Sequence, residues 1–427
     1  MDTPFPLCPH FGRCGGCHSQ DTPYSRQLAA KTDALQTLFA PFWMRPIDIT
    51  PSPVLWNYRN KIDPAFSPKH YDTPPPKDFI RDTVFGFKQK GRWFDPLEIE
   101  ECRIGPEGTE PLLAAMHAWR RESGLRGFNS RNGDGFLRTL LIRDAKRTGE
   151  RMVVLITRPG PFDPTPFVEA VRSSFNADSI HRGVFSGLAD TAMADELELL
   201  HGNPAIMERM HVPEAAGREV WPSPAKALAA EQRAKKEAPA HRALSFRISP
   251  MSFFQTNPLA AERLYGLIRQ WVRRTGAENL FDFYGGMGGI AFSCADLVKN
   301  IWSVEEVAAA SEDGRHNAAE NGIENVTFIT SRVKNFLKQQ MESGGMPPRS
   351  AVVLDPPRGG MTPKAARRCI DSAPPHVLYV SCNPKVLAQE LPLFLDKYTL
   401  TGMQAVDMFP HTPHVEVLAE MELRRED

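Results

Sequence analysis

ENLFDFYGGMGGIAFSCADL, residues 278–297, runs from an apolar stretch into a glycine-rich turn and on into a second apolar pattern. The first part reads as a buried strand. Gly286, Gly288 and Gly289 let the chain turn tightly into a helix and bring its backbone close to a ligand. Asp282 sits at the strand end, and seventeen residues after Gly288 the next strand, NIWSVE, ends at Glu305. A carboxylate there can accept the two hydroxyls of a ribose. From about residue 251 onward strands alternate with helices of regular length, the pattern of a doubly wound α/β domain.

The turn alone leaves its ligand open. A dinucleotide-binding dehydrogenase and an S-adenosylmethionine-dependent methyltransferase both need glycines beside an adenosine, GMGGIA fits the dinucleotide fingerprint only loosely, and a turn with no ligand is a third reading. The strand AVVLDPPRGG, residues 351–360, narrows the choice. It ends at Asp355, where a planar substrate edge would lie, and the motif continues to Arg358 rather than to the aromatic that an amino-directed methyltransferase uses to stack a base. The following strand, LYVSCNP at 378–384, ends on Cys382. A thiolate adding to carbon 6 of uracil makes carbon 5 nucleophilic toward a sulfonium methyl group. A base must then remove the carbon 5 proton. Glu416, in MFPHTPHVE between Val415 and Val417, is the candidate, because apolar neighbours raise a carboxylate's proton affinity.

Composition sets bounds on the rest. The chain of 427 residues is ordinary soluble globular material, long enough for two or three domains. No window approaches the roughly 20 apolar residues of a membrane span, and MDTPFPLCPH lacks signal-peptide character, so a cytoplasmic protein without membrane partners is expected. Formal charge is zero, so a polyanion site must come from local asymmetry. Residues 117–151 hold nine basic and four acidic side chains, which reads either as an RNA contact or as a solvated face.

Cys8, Cys14 and Cys17 cluster in CPHFGRCGGC, and Cys102 stands apart in EIEECRIGP. In a cytoplasmic chain this points to metal. Structural zinc sites usually draw their ligands from two close pairs, whereas three thiolates from one loop plus a remote fourth suit a cubane iron–sulfur cluster, so cluster is favoured over zinc. Cys294 and Cys369 fall in helical patterns as small core residues.

Two regions follow from this reading: a mixed α+β domain over 1–250 carrying the cysteine loop, and a Rossmann-like domain over 251–427. A helix over 19–45 follows the loop. Strand-like text fills 54–105, with helices near 108–122 and 164–174 and strands near 136–143, 150–158 and 179–187. The segment 213–243, rich in Ala, Pro, Lys and Glu, reads as a surface insertion or flexible loop.

CPHFGRCGGC with Cys102, FFQTN at 253–257, DFYGGMG at 282–288, VLDPPRGG at 353–360, YVSCNP at 379–384 and DMFPHTPHVE at 407–416 together resemble the RNA uracil-5-methyltransferases, in order along nearly the whole chain. The resemblance implies a class I methyltransferase domain that uses S-adenosylmethionine, joined to a central domain with a 4Fe-4S cluster on Cys8, Cys14, Cys17 and Cys102. It also implies Cys382 as nucleophile and Glu416 as proton acceptor, with Gln255, Tyr284, Gly286, Gly288, Glu305 and Asp355 lining the cofactor and uracil pockets. The helix after the cysteine loop is implied to pack on the methyltransferase domain, and the enzyme to act as a monomer on structured RNA. Only seven residues precede Cys8, so the TRAM barrel that opens many members is not expected; that favours ribosomal over transfer RNA.

Departures from the family pattern are Gly285 in place of Cys, Gly289 in place of Asn, and Arg332 where an acidic or amide side chain contacts adenine. Phe253 and Phe254 are candidate stacking surfaces for an extruded base. Lys364, Arg367 and Arg368 are candidate phosphate contacts, and His411 and His414 have either orienting or loop-packing roles. Two other classes compete with the methyltransferase: a nicotinamide-dependent iron–sulfur oxidoreductase, which leaves Cys382 and Glu416 without work, and a non-catalytic RNA-binding or redox-sensing protein, which has no need of them.

Overall fold

The computed structural model describes residues 6–73, 75–76, 79–214, 219–221, 223–234 and 241–424. They divide into two compact units. One comprises Met1–Pro23, Leu55–Glu208 and Ile248–Met251; the other comprises Tyr24–Val54, Arg209–Arg247 and Ser252–Asp427. Among the described residues no helix is long and apolar enough to cross a membrane.

The second unit is built on one eight-stranded sheet. Its strands are β1 (Asp48–Thr50), β2 (Asn279–Phe283), β3 (Asn300–Glu305), β4 (Val326–Thr330), β5 (Ser350–Leu354), β6 (His376–Ser381), β7 (Tyr398–Val406) and β8 (Glu416–Leu423). They lie in the order β1-β7-β8-β6-β5-β2-β3-β4. All neighbours pair in parallel except β8, which runs against both β6 and β7. Helices cover both faces, so β2 and β5 are buried at every position, and their sequences read as continuous apolar runs rather than alternating ones. Chain order reverses at β2, whose neighbours β3 and β5 are reached by crossovers in opposite directions. The carboxyl ends of strands at such a switch point flank the crevice where open α/β sheets bind ligands.

The helix Tyr24–Phe39 belongs to this unit. Leu35 and Phe39 enter the same apolar core as Trp43, Ile47, Val377, Phe394 and Met403. On the polar side Lys31, itself buried, places its ammonium 2.8 Å from Asp407 and donates to the carbonyls of Phe409 and His414. Asp407 also accepts from the Tyr24 hydroxyl at 2.9 Å. The loop that leads into β8 is therefore tied down from the far end of the sequence.

The first unit carries a mixed sheet in the order Arg92–Glu98, Thr83–Gln89, Ala65–Pro68, Leu137–Asp144, Arg151–Thr157, Ser179–Val184, Glu196–Gly202, with Lys61–Ile62 beside Leu137–Asp144. Helices Glu110–Ser123 and Thr165–Phe175 cover it, burying Trp119, Phe167 and Val171 against the stacked pair Phe66 and Phe85, whose ring centroids are 4.4 Å apart. Within 213–243 the described residues are not a simple loop. They form the helix Pro224–Ala234, and the strands Ile206–Pro213 and His241–Ile248 pair into a ribbon on either side of it. Alanine-rich composition, which argues against a large core, is also good helix composition. Residues 215–218, 222 and 235–240, to which the flexible-loop expectation extends, lie outside the described residues.

Candidate active site

Cys382 and Glu416 are brought together by strand register. In the antiparallel ladder Val380 faces Leu418 and Ser381 faces Val417, where the pairing ends; Cys382 follows directly on one strand and Glu416 opens the other, close enough for the Glu416 charge to act on the thiol. Asp355 follows β5, the other neighbour of β6, and its amide donates to the carbonyl of Phe283 at 3.2 Å. Two short anchors hold the turn around the thiol. Ser381 and Asn383 bond each other through the serine hydroxyl, and the Asn383 side chain donates to the carbonyl of Arg358 at 3.0 Å. Glu390 holds the loop after Arg358 by accepting from the amide of Met361 at 2.9 Å and from the Tyr379 hydroxyl at 2.6 Å.

Three carboxyl groups share this end of the sheet. Glu416, only 5% exposed, has its pKa pushed up to about 8, chiefly by burial and then by the charge of Asp355, with Arg358 opposing. Burial lifts Asp355 to about 7, although the face it turns to the cleft meets water, which tempers the push. Asp282 is raised to about 7 by burial and by Asp355. The Cys382 thiol is raised to about 11 by burial, then by Glu416 and Asp355, and lowered by Arg358. Burial and mutual repulsion therefore favour the protonated forms of these groups, while Arg358 favours the charged forms of Glu416 and Cys382.

The glycine turn lies on the β2 side. Gly286 and Gly288 have φ of 55° and 93°, and a Cβ at Gly288 would come within 2.7 Å of the Phe292 ring and 2.9 Å of Phe328, so no side chain fits there. Glu305 is fixed by the turn: its carboxylate accepts from the Gly286 amide at 3.1 Å and the Val307 amide at 2.7 Å. Gln255, Tyr284, Gly286 and Asp355 line one narrow crevice together with Phe253 and Tyr265. Tyr284 holds a positive φ of 65°, unusual for a bulky residue and common where a backbone is bent for a ligand. The Asp282 carboxyl is fully buried behind the turn, held by the Ala291 amide and the Ser303 hydroxyl. The crevice in front of the turn, lined by Gln255, Tyr284 and Asp355, offers polar groups that fit the amino-acid end of S-adenosylmethionine.

Of the candidate stacking residues, Phe253 is 66% exposed at the crevice mouth, while Phe254 is buried against Phe246 at 5.4 Å. His411 is buried and bonded to Gln27, a packing role, whereas His414 meets the Arg358 guanidinium at 3.2 Å. Arg368 donates to the carbonyl of Lys334, while Lys364 and Arg367 stay exposed. Arg332 pairs with Glu306 at the surface, 2.9 Å apart. Tyr265 was not expected at the site. It lies on the helix Pro258–Thr275, and its hydroxyl occupies the space that a Cβ at Gly289 would need, 2.5 Å away. The glycine at 289 was the available signal: a missing side chain there leaves room that another residue fills.

In the first unit Cys8, Cys14, Cys17 and Cys102 all line one cavity of about 540 Å³, together with Arg59. Burial raises Cys17 to about 11 and Cys102 to about 12. Gly15 passes close to the carbonyl of Lys88, and the Gly16 amide lies 3.4 Å from the Cys14 sulfur. Among the described residues no group of three or more His, Cys, Asp or Glu is placed to hold a metal ion. Cys294 and Cys369 are fully buried. The basic stretch 117–151 is largely consumed internally. Arg138, Arg143 and Lys146 are buried, Arg120 bonds Thr83 and Glu98, and Arg151 lies over the Phe175 ring at 4.5 Å. Arg121, Arg126 and Arg131 remain exposed.

Residues 229–422 match the model of the family described as tRNA (uracil-5-)-methyltransferase. An uncharacterised RNA methyltransferase of Caldanaerobacter subterraneus is 31% identical over 97% of this chain and 84% of its own. The tRNA (uracil(54)-C(5))-methyltransferase of Pyrococcus furiosus is 28% identical over 97% of this chain and 84% of its own. Among solved structures, the Pyrococcus abyssi tRNA (uracil-54, C5)-methyltransferase in complex with S-adenosyl-L-homocysteine superposes with a TM-score of 0.69 at 26% identity, covering 93% of this chain and 83% of that one.

Proposed function

Because the chain belongs to the tRNA (uracil-5-)-methyltransferase family and is an S-adenosylmethionine-dependent RNA uracil-5-methyltransferase, we propose that it methylates one uridine of a folded RNA through a covalent bond between Cys382 and carbon 6. The observation that carries this reading is that the ends of adjacent strands bring Cys382, Glu416 and Asp355 close enough to act on one another's charge. Bound S-adenosylmethionine supplies a methyl group on a positively charged sulfur. Asp355 and Gln255 hold the edge of the extruded base, and Phe253 offers it a stacking face. The Cys382 thiol gives its proton to water as its sulfur adds to carbon 6, which makes carbon 5 the nucleophile that takes the methyl group and releases S-adenosylhomocysteine. Glu416 then removes the proton from carbon 5, and the carbon–sulfur bond breaks to return the thiolate. Burial makes the ionised Glu416 a stronger base than an exposed carboxylate, and it acts once its own proton has left.

Four thiols around one cavity, three from one loop and the fourth remote in sequence, support a 4Fe-4S cluster on Cys8, Cys14, Cys17 and Cys102 over zinc, since a cubane binds each thiolate at a separate iron. Methyl transfer moves no net electrons, so the cluster's role is structural. The Pyrococcus enzymes are named for position 54 of transfer RNA, which supports transfer RNA as the first substrate class to test, with ribosomal RNA as the competing class. Transcripts of both classes carrying 5-fluorouridine, incubated with cofactor, should trap a protein–RNA adduct that survives denaturation. Adduct formation by Cys382→Ala would remove the thiol from this mechanism.

A further inference from the structure

A second cavity, about 660 Å³, opens in the first unit at the outer ends of strands Ala65–Pro68 and Arg92–Glu98, well within the size range of roughly 300–1,000 Å³ of ligand sites. Its walls combine features that rarely occur together on an idle surface. Phe79, Ile80 and Phe94 are 47%, 69% and 40% exposed, large apolar side chains standing in water beside one another. Phe94 is held edge-on by His70 at 5.1 Å and Phe79 by Tyr71 at 5.5 Å, so their orientations are set before anything binds.

The opposite wall is the loop 126–135, and it is closed on itself. The amides of Phe128, Asn129 and Gly133 donate to Leu137, Asp134 and Asn129 at 2.7–2.8 Å, and Gly127 fits only because it lacks a side chain against Phe66. This loop presents Arg126 and Arg131, both exposed and in no ion pair among the described residues. Of the acidic residues lining the cavity, Asp190 is paired with Lys88 at 3.3 Å and Asp134 accepts from Asn132 at 2.7 Å. With Lys88 and Asp190 paired, the lining still holds Arg81, Arg126 and Arg131 against Asp134, so the groove keeps an excess of positive charge.

Aromatic faces in a positively charged channel are how proteins hold unpaired nucleotides: bases stack on the rings, and phosphates meet the cations. We infer that this groove docks a single-stranded segment of the substrate RNA, with bases on Phe79 and Phe94 and phosphates on Arg126 and Arg131. The inference rests on the reading of the substrate as RNA and adds where a flanking segment is gripped. Rigid walls lower the ordering cost of that grip.

The test uses the full chain with two probes, a fluorescently labelled single-stranded oligouridylate and an unmodified tRNA transcript. R126A/R131A should weaken binding by about tenfold or more and reduce the slope of log affinity against log salt by about 0.7 for each phosphate no longer neutralised. F79A/F94A should weaken binding with the salt slope unchanged, because stacking releases no counterions. Both variants should keep the parent's near-ultraviolet circular dichroism and melting temperature, which guards against misfolding of the first unit. If the parent binds RNA and both variants bind it equally well with the same slope, the groove is not a docking site, while the RNA reading stands. If the parent binds neither probe, both readings fall together.

Discussion

Glu416 carries the largest consequence of burial at this site. Its folded pKa of about 8 lies above the ordinary 4.5, so the folded protein binds that proton more tightly than the unfolded chain. The resulting stabilisation is complete below about pH 4.5 and is lost as pH rises through about 8. A glutamine has no proton to lose. Glu416→Gln should therefore gain on the parent as pH rises from 5 to 9, by about 2–4 kcal/mol in urea unfolding. The groups facing Glu416 are Asp355, Arg358 and Cys382, and a flat difference across that pH range would mean that they fully compensate it. The same variant should form the covalent RNA complex and fail to release it. Cys382 and Glu416 were legible as single residues because each ends or starts an apolar strand next to a motif. Tyr265 was not: it lies in a helix with apolar residues on every side, and nothing along the chain marks which one faces the glycine turn.

At the scale of elements, the loop between β7 and β8 owes its shape to a helix almost four hundred residues earlier. Lys31 is buried with Asp407, and that pair is the main link. Lys31→Met removes one charge and leaves the other buried, an arrangement that costs about 3–5 kcal/mol. Chemical denaturation should show that loss, and methyl transfer should fall as the loop leading to Glu416 loosens. The loop after Asp355 has its own lock. Gly360 has φ of 77°, and a Cβ there would meet Glu390 and Val386. Gly360→Ala should destabilise by about 1–3 kcal/mol and lower activity at saturating substrate, measured by calorimetry and initial rates. Helices near 108–122 and 164–174 were legible because their apolar period is strong, and they appear at 110–123 and 165–175. The helix Pro224–Ala234 escaped because alanine and lysine, read as low hydrophobicity, hid a good helix former.

At the scale of the whole molecule, the sequence separates the cysteine loop and Cys102 from the candidate site by several hundred residues, and the structure collects Cys8, Cys14, Cys17 and Cys102 around one cavity in the first unit. If they hold the proposed cluster, Cys102→Ser should abolish absorbance at about 400 nm in anaerobically prepared protein while leaving S-adenosylhomocysteine binding intact. Loss of cofactor binding in that variant would mean that the proposed cluster supports more than its own unit. Charge was the feature least readable in advance. Nine basic residues in one stretch read either as an RNA contact or as a solvated face, and sequence cannot tell an arginine that crosses a sheet to bond carbonyls, as Arg138 does, from one standing on a loop tip, as Arg131 does.

The position of β8 has a consequence for biosynthesis. It enters the sheet between β6 and β7, not at an edge, and both neighbours are made before it. A nascent chain that has emerged only as far as residue 415 exposes two unpaired strand edges, the surfaces on which aggregation begins. It also lacks Glu416. Insertion of residues 416–423 closes both edges and delivers that residue in one event, so the sheet and the candidate site are completed together.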